Sequence, residues 1–263
     1  MSRRHFIWTL TAPLVIAFPP RACQDSPKMG AAPDNAQPQR QRQRQPHAQP
    51  ALRRDRAGRP CLDDAYHKLI ADLASRQPSA GANAPASAAA DAFRRLDTAR
   101  ILVVAGPARR EARASIRGFG SAPTHDARKP SIRRHGIQID YEICLRPLFF
   151  RHCTAEERLA ILIHELWHAA PAFDGTLNPA HRHNQISRRD VDRAVRELAE
   201  PWFAQALGSE LDFLSYEGEI RMRSWLVRPP SFLPADDPRE RTEYDERLLF
   251  PAIVEQRTPR APT

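Results

Sequence analysis

The sequence predicts an α+β fold in which a small antiparallel or mixed sheet packs on one amphipathic helix. Two strand patterns, at residues 101–105 and 137–145, precede a helical pattern at residues 154–170. Continuous or alternating apolar runs are typical of short strands, and apolar recurrence every three to four residues is typical of helices. The helix contains His164-Glu165-Leu166-Trp167-His168, an H-E-x-x-H pentapeptide.

The elements before the pentapeptide follow from local patterns. Four apolar residues at helical spacing predict a first helix over residues 63–74, namely Tyr66, Leu69, Ile70 and Leu73. Residues 77–91 are rich in Ala, Ser, Gly and Pro, which predicts a linker or a weak helix start. Residues 101–105 are uniformly apolar and end at Gly106-Pro107, as expected of a buried strand. The basic, glycine-containing residues 107–135 predict a loop across the site entrance.

The second strand pattern alternates. Apolar residues from Ile137 to Leu145 fall on one face, and Gln138, Asp140, Glu142 and Cys144 fall on the other. This alternation predicts a half-buried strand. It fits an edge strand that aligns an extended substrate by backbone pairing, and it fits a plain strand covering the core equally well.

The pentapeptide lies on a well-marked helix. Thr154 and Glu157 form a capping-box pattern at its start, and Pro171 predicts its end at Ala170. One apolar stripe runs along it, made of Leu159, Leu162, Ile163, Leu166 and Ala170. His164, Glu165 and His168 lie off this stripe, so we expect them to face a cleft.

The pentapeptide indicates a metal site. Residues four apart share a helix face, so His164 and His168 are predicted to bind one Zn²⁺ ion. Glu165 is then the predicted catalytic residue, a general base that takes a proton from water. The simpler interpretation is a surface helix that carries two histidines by chance.

Further turns and helices follow the motif. Phe173-Asp174-Gly175 predicts a turn, and Ser187 with Asp190 predicts the cap of another helix. That helix would bury one face, formed by Val191, Ala194, Val195 and Leu198. None of the four cysteines forms C-x-x-C, and we expect Cys144 and Cys153 to be buried free thiols.

Composition divides the chain into four segments. Residues 1–22 are typical of a signal peptide, or else a spurious N-terminal extension, and their apolar run is too short for a transmembrane segment. Residues 23–60 predict a disordered arm rich in Arg, Gln and Pro. Residues 61–234 predict the folded domain, and residues 235–263 a partly disordered C-terminal extension. The compartment stays open between the cytoplasm and export.

The net charge of +9 raises the question of a nucleic-acid partner. The Arg-rich arm is able to contact phosphates without sequence preference, although a solvated tail without a partner fits the same composition.

Two segments, 141–145 and 164–175, resemble the phage-type metallopeptidase family of zincins. The shared features are Tyr141-Glu142-Ile143-Cys144-Leu145, the H-E-L-x-H pentapeptide, and the Pro and Phe-Asp-Gly that follow it. The resemblance covers roughly residues 95–230. It implies a zincin-like metallopeptidase domain that acts on a protein or peptide substrate. The spacing is also similar to that of SprT/Spartan-like proteases, which act on proteins crosslinked to DNA, although the glycine-flanked histidine usual there is absent.

The third metal ligand is chosen among three downstream residues. Catalytic zinc usually takes three protein ligands and one water. His183, fifteen residues after His168, has the spacing of the SprT-like ligand and ranks first, ahead of His181 and then Asp174. Tyr141, Arg182 and His181 are candidates for stabilising the oxyanion.

The sequence supports two different functions for the chain. The first is a zinc-dependent metallopeptidase, and the alternative is a nucleic-acid-associated protein in which the zinc site is structural.

Overall fold

The computed structural model of the chain has mixed helices and short strands, which confirms the α+β class. It describes residues 52–75, 93–109, 111–120, 127–181, 187–205, 211–234 and 241–259. The helices are α1 (Asp63–Ser75), α2 (Pro147–Arg151), α3 (Ala155–Trp167), α4 (Arg188–Gln205) and α5 (Asp212–Ser215). The strands are β1 (Ile101–Ala105), β2 (Ala114–Gly118), β3 (Ala127–Arg128), β4 (Ser131–Arg134), β5 (Ile137–Gln138), β6 (Tyr141–Leu145), β7 (Gly218–Trp225), β8 (Leu233–Pro234), β9 (Glu243–Tyr244) and β10 (Leu249–Gln256).

The central sheet is mixed, as predicted. Its strand order is β1-β6-β2, with β1 parallel to β6 and β2 antiparallel to it. Val103 lies opposite Ile143 in the parallel pair, and Ile116 lies opposite the same residue in the antiparallel pair. Every residue of β1 and β6 is buried. The apolar run at 101–105 is therefore the buried strand that the sequence predicts.

The prediction of one half-buried strand at 137–145 is wrong. The pattern divides into β5 and β6, and β6 lies in the middle of the sheet, which fits the core strand of the two alternatives and not the edge strand. Nor is it half-buried, because Glu142 on its polar face is fully buried in contact with arginines. The predicted loop at 107–135 contains β2, β3 and β4 instead. Among the described residues, β2 is the edge of this sheet nearest α3.

A long two-stranded ladder extends the fold beyond the predicted limits of 61–234. Residues 249–256 pair antiparallel with residues 218–225, although the sequence prediction left them in a C-terminal extension. On the other edge of β7, Leu62 N–H donates to the Arg221 carbonyl, and Arg221 N–H donates to the Pro60 carbonyl. These partners lie far apart in the sequence, and composition does not reveal such pairing.

The start of the motif helix is as predicted, and its end is not. Thr154 caps α3 and accepts a bond from Glu157 N–H, while the Glu157 carboxylate accepts the Thr154 N–H at 2.8 Å. The helix ends at Trp167 rather than Ala170. The reason is that Ala170 N–H donates to the Thr176 carbonyl, so the chain folds back on itself before Pro171.

Other local predictions are confirmed. The first helix buries Tyr66, Leu69, Ile70 and Leu73. The helix after the motif has Ser187 at its cap, where the hydroxyl accepts Asp190 N–H, and it buries Val191 and Val195. Cys144 and Cys153 are buried free thiols. Residues 1–51 and the predicted linker at 77–91 lie outside the described residues. In the described ranges, no helix combines the length and the apolar character needed to cross a membrane.

Candidate metal centre

His164 and His168 point their ring nitrogens at each other. Their Nε2 atoms lie 3.2 Å apart, and the two rings are nearly perpendicular at 84°. Two nitrogens bound at about 2.05 Å to a tetrahedral ion would be about 3.3 Å apart, close to this separation. The same distance also suits an N–H···N hydrogen bond in which one ring donates. The donor set and its spacing therefore fit one zinc ion.

Glu165 is buried beside the edge strand. Its side chain is 9% exposed, and it accepts a hydrogen bond from Ile116 N–H on β2. Burial raises the pKa of the Glu165 carboxyl. The Ile116 N–H and the Arg146 guanidinium lower it by less, and the resulting pKa is about 7. A carboxyl group with such a pKa suits proton transfer near neutral pH.

The predicted open cleft is only partly present. His168 is 8% exposed and Glu165 is similarly covered, whereas His164 is half-buried. The sequence predicts that the polar residues that do not lie on the apolar stripe face solvent. In the structure, β2 covers Glu165, because that strand lies against the helix.

His181 lies near the motif helix but not in a three-ligand group. Its ring stacks on Trp167 with centroids 3.7 Å apart, and its Nδ1 is 2.7 Å from the Trp167 carbonyl oxygen. A carbonyl oxygen only accepts, so Nδ1 carries the hydrogen and, in the neutral ring, Nε2 carries the lone pair. Zinc-binding histidines often donate the second ring nitrogen in this way.

Asp174 belongs to a turn, as its Asp-Gly sequence predicts. Its Oδ1 accepts the Thr176 N–H at 3.0 Å and the Thr176 hydroxyl at 2.7 Å. These bonds hold the pKa of the Asp174 carboxyl below its usual value. Phe173 and Gly175 both have positive φ, at 49° and 80°. The carboxylate is thus engaged within its own turn.

The structure does not identify a third ligand for the His164–His168 pair. Within them, no group of three or more His, Cys, Asp or Glu side chains is arranged to hold a metal ion. Neither His181 nor Asp174 completes the pair. His183 and Arg182 fall in the undescribed segment 182–186.

Tyr141, one of the three candidates for the oxyanion donor, bonds the turn after the motif helix. The side chain is fully buried, and its hydroxyl donates to the Thr176 carbonyl at 2.8 Å and accepts Gly175 N–H at 3.1 Å. Gly120 N–H also donates to the Gly175 carbonyl. Tyr141 therefore fastens the turn after the motif helix to the central sheet.

Sequence reasoning missed the contribution of β2. Ile116 supplies its backbone N–H to Glu165, and the strand ends at Gly118, two residues before Gly120. A Cβ atom at Gly118 or Gly120 would collide with the backbone of the 174–175 turn. The glycine spacing was the available signal, since glycines in a strand often mark close backbone approach.

No protein-family model, curated protein or solved structure matches the chain. The functional assignment therefore depends on the geometry above. The nucleic-acid alternative depends on the arm at 23–60, of which the structure describes only residues 52–60.

Proposed function

We propose that the chain is a zinc-dependent metallopeptidase with a zincin-like domain, and that it hydrolyses peptide bonds in a protein or peptide. The observation that carries this proposal is the convergence of two imidazole Nε2 atoms, 3.2 Å apart, next to a buried carboxyl. A surface helix with two chance histidines would not place Glu165 against a strand edge beside them.

The two histidines would hold the metal through Nε2, and His183 is proposed as the third ligand from its spacing. Bound zinc supplies Lewis acidity, which makes water nucleophilic near neutral pH and polarises a carbonyl.

Glu165 is the proposed general base. It follows His164 directly on the helix, so its carboxylate is carried on the same rigid element as the ligands. The Ile116 N–H holds this carboxylate in position. In the proposed reaction it takes a proton from the attacking water and delivers it to the leaving amine.

The edge of β2 is the proposed guide for an extended substrate. The Arg113 carbonyl and the Phe119 N–H form hydrogen bonds with the residues that flank the two ends of β6. Backbone groups of successive residues in a strand point to opposite sides, so residues 114, 116 and 118 direct theirs away from the sheet. Among described residues, Ala114 N–H and C=O and the Ile116 C=O have no hydrogen-bond partner on that edge. A peptide strand added there would lie beside Glu165.

The first test is activity of Glu165→Gln against a denatured protein substrate. The expected result is unchanged zinc content with turnover reduced by at least about 10²-fold, since general-base catalysis contributes roughly that much. Glu156→Gln is the matched control, because Glu156 is an exposed carboxylate in the first turn of the same helix. Equal turnover in Glu165→Gln and the parent would contradict the proposal.

The second test is the zinc content of alanine variants. His164→Ala, His168→Ala and His183→Ala are expected to lose stoichiometric zinc, whereas His181→Ala and Asp174→Ala are expected to keep it. Retention of zinc by His164→Ala would refute the metal centre. Loss of zinc by His181→Ala and not by His183→Ala would reassign only the third ligand.

A further inference from the structure

A cavity lies on the opposite face of the central sheet from the turn that follows the motif helix. Side chains alternate along β6, so Tyr141 faces the 173–176 turn and Cys144 faces the other way. The cavity opens over Cys144, between the ends of β1 and β6 and the β7–β10 ladder. Its volume is about 450 Å³, and none of His164, Glu165 and His168 lines it. Pockets for small ligands typically measure about 300–1,000 Å³.

The walls of this cavity are mainly apolar. The apolar wall residues are Val104, Ala105, Trp225, Leu226, Ala252 and Val254. Polar groups come from Cys144, Ser224 and Arg228. Such a lining suits a ligand with an apolar body and few polar atoms.

The charges around the cavity favour an anion. Glu142 lies beside it and is saturated: its carboxylate accepts two bonds from Arg117, one from Arg228 and one from Trp225 Nε1. A carboxylate has about four acceptor positions, so no capacity remains. One negative charge thus faces two guanidinium groups, which leaves a local charge of +1.

Arg228 carries more N–H donors than its bond to Glu142 uses. Its Nη2 bonds Glu142 Oε1 at 3.1 Å, and in the described part of the chain Glu142 is its only side-chain partner. A guanidinium group carries five N–H donors, so Nε and Nη1 remain able to bind an anion. The side chain is 35% exposed, which places it at the mouth of the cavity.

A further positive charge lies behind the wall. Arg146 is 1% exposed and donates to the Pro107 carbonyl, and Pro107 lines the cavity. No described carboxylate lies within ion-pair distance of Arg146. Burial raises the pKa of the Cys144 thiol, and so does Glu142, whereas the three arginines Arg228, Arg146 and Arg117 act in the opposite direction. The thiol thus lies in a positive field inside the cavity.

We propose that this cavity binds a small organic anion with an apolar body and a single carboxylate. The apolar part packs between Trp225 and the β10 wall, and the carboxylate bonds the Nε and Nη1 hydrogens of Arg228. This binding site is separate from the proposed peptidase centre.

The experiment is calorimetric titration of the full chain with octanoate, and with 1-octanol as the uncharged analogue. Octanoate is expected to bind at least about tenfold more tightly than octanol, because its carboxylate adds charge-assisted bonds. Arg228→Gln should weaken octanoate binding by about tenfold or more. Arg133→Gln is the control, since it removes one positive charge from an exposed position on β4, and it should leave affinity within about twofold.

A second measurement locates the ligand. Octanoate should slow alkylation of Cys144 by N-ethylmaleimide, detected by peptide mapping, and should not change that of Cys153, which is buried elsewhere. Ala252→Phe should fill the cavity and abolish binding, with circular dichroism to verify folding. Arg228→Gln keeps the test decisive if the phenylalanine variant does not fold.

Three results would overturn the proposal. The first is no octanoate binding and no protection of Cys144 at millimolar ligand. The second is equal binding of octanoate and octanol, which would leave the carboxylate without a role, or equal weakening by Arg133→Gln and Arg228→Gln, which would reduce the effect to surface charge. The third is loss of octanoate binding in His164→Ala, which would place the carboxylate at the metal centre. Persistence of binding in that variant supports the cavity whether or not the chain is a peptidase.

Discussion

Replacing Tyr141 by phenylalanine separates two roles for its hydroxyl. If the hydroxyl fastens the turn after the motif helix, Tyr141→Phe lowers the free energy of unfolding. If it stabilised an oxyanion, the variant would lose turnover at unchanged stability. The structure supports the first role, because both hydroxyl bonds go to backbone groups of the turn.

The magnitude follows from what each partner loses. The Thr176 carbonyl still accepts Ala170 N–H at 3.1 Å in the variant, so it keeps one partner. Gly175 is buried, and its N–H loses the hydroxyl acceptor. An orphaned buried N–H costs about 1–3 kcal/mol, and the lost bond to Thr176 adds about 1 kcal/mol. We therefore expect destabilisation by about 2–4 kcal/mol.

The assay is urea unfolding of both proteins, with Tyr216→Phe as the matched control. The Tyr216 side chain is half-buried, and its hydroxyl makes no hydrogen bond to described residues, so we expect a change below about 0.5 kcal/mol. A loss below about 0.5 kcal/mol for Tyr141→Phe would refute the fastening role. A fall in turnover of about 10²-fold or more at unchanged stability would restore the oxyanion role.

Three further predictions concern ionisable groups that are buried or half-buried. Glu142→Gln should destabilise the fold by about 3–5 kcal/mol in urea unfolding, since it leaves two arginines without their counter-charge. The control is Glu219→Gln, because the Glu219 side chain is 61% exposed. A loss of stability in Glu142→Gln no larger than in this control would contradict the prediction. Burial, with the nearby arginines, lowers the pKa of His67 to about 4. The unfolded chain then binds more protons than the folded chain between pH 4 and about 6.5, so the free energy of unfolding falls as pH drops through that window, by about 2 kcal/mol from pH 7 to 5. His67→Gln should remove this part of the pH dependence of stability. An unchanged pH dependence in the variant would exclude His67 as its cause. Arg158→Lys should lower the free energy of unfolding by about 3 kcal/mol or more. The reason is that one ammonium group cannot bind all four carbonyls that the guanidinium group binds, those of Phe149, Phe150, Leu214 and Arg257. Stability within about 1 kcal/mol of the parent would contradict this role of Arg158.

Local patterns predicted the elements whose burial is periodic. The capping box at Thr154, the apolar faces of α1 and α4 and the buried strand at 101–105 all appear where the sequence placed them. In each case the pattern and the packing use the same residues. The His164–His168 pair belongs to this group, since one helical turn alone brings the two rings together.

Buried charges could not be predicted in the same way. Glu142, Arg146 and Arg158 are among the most buried side chains of the fold, at 0%, 1% and 0% exposure. A charged residue in a pattern is normally assigned to a solvated face. Here each is compensated by partners from remote segments, such as the Leu214 and Arg257 carbonyls around Arg158. Those partners are fixed by tertiary packing, which residue spacing does not record.

The position of the proposed general base depends on the register of β2, which the sequence did not identify as a strand. Ile116 directs its N–H outward to Glu165 only because Arg117 pairs with Glu142. A slip of one residue would turn that N–H into the sheet and present the Arg117 amide instead. The salt bridge between the Arg117 and Glu142 side chains, at 2.7 Å, holds the present register. One buried ion pair therefore couples the stability of the sheet to the placement of Glu165, and Glu142→Gln should affect both.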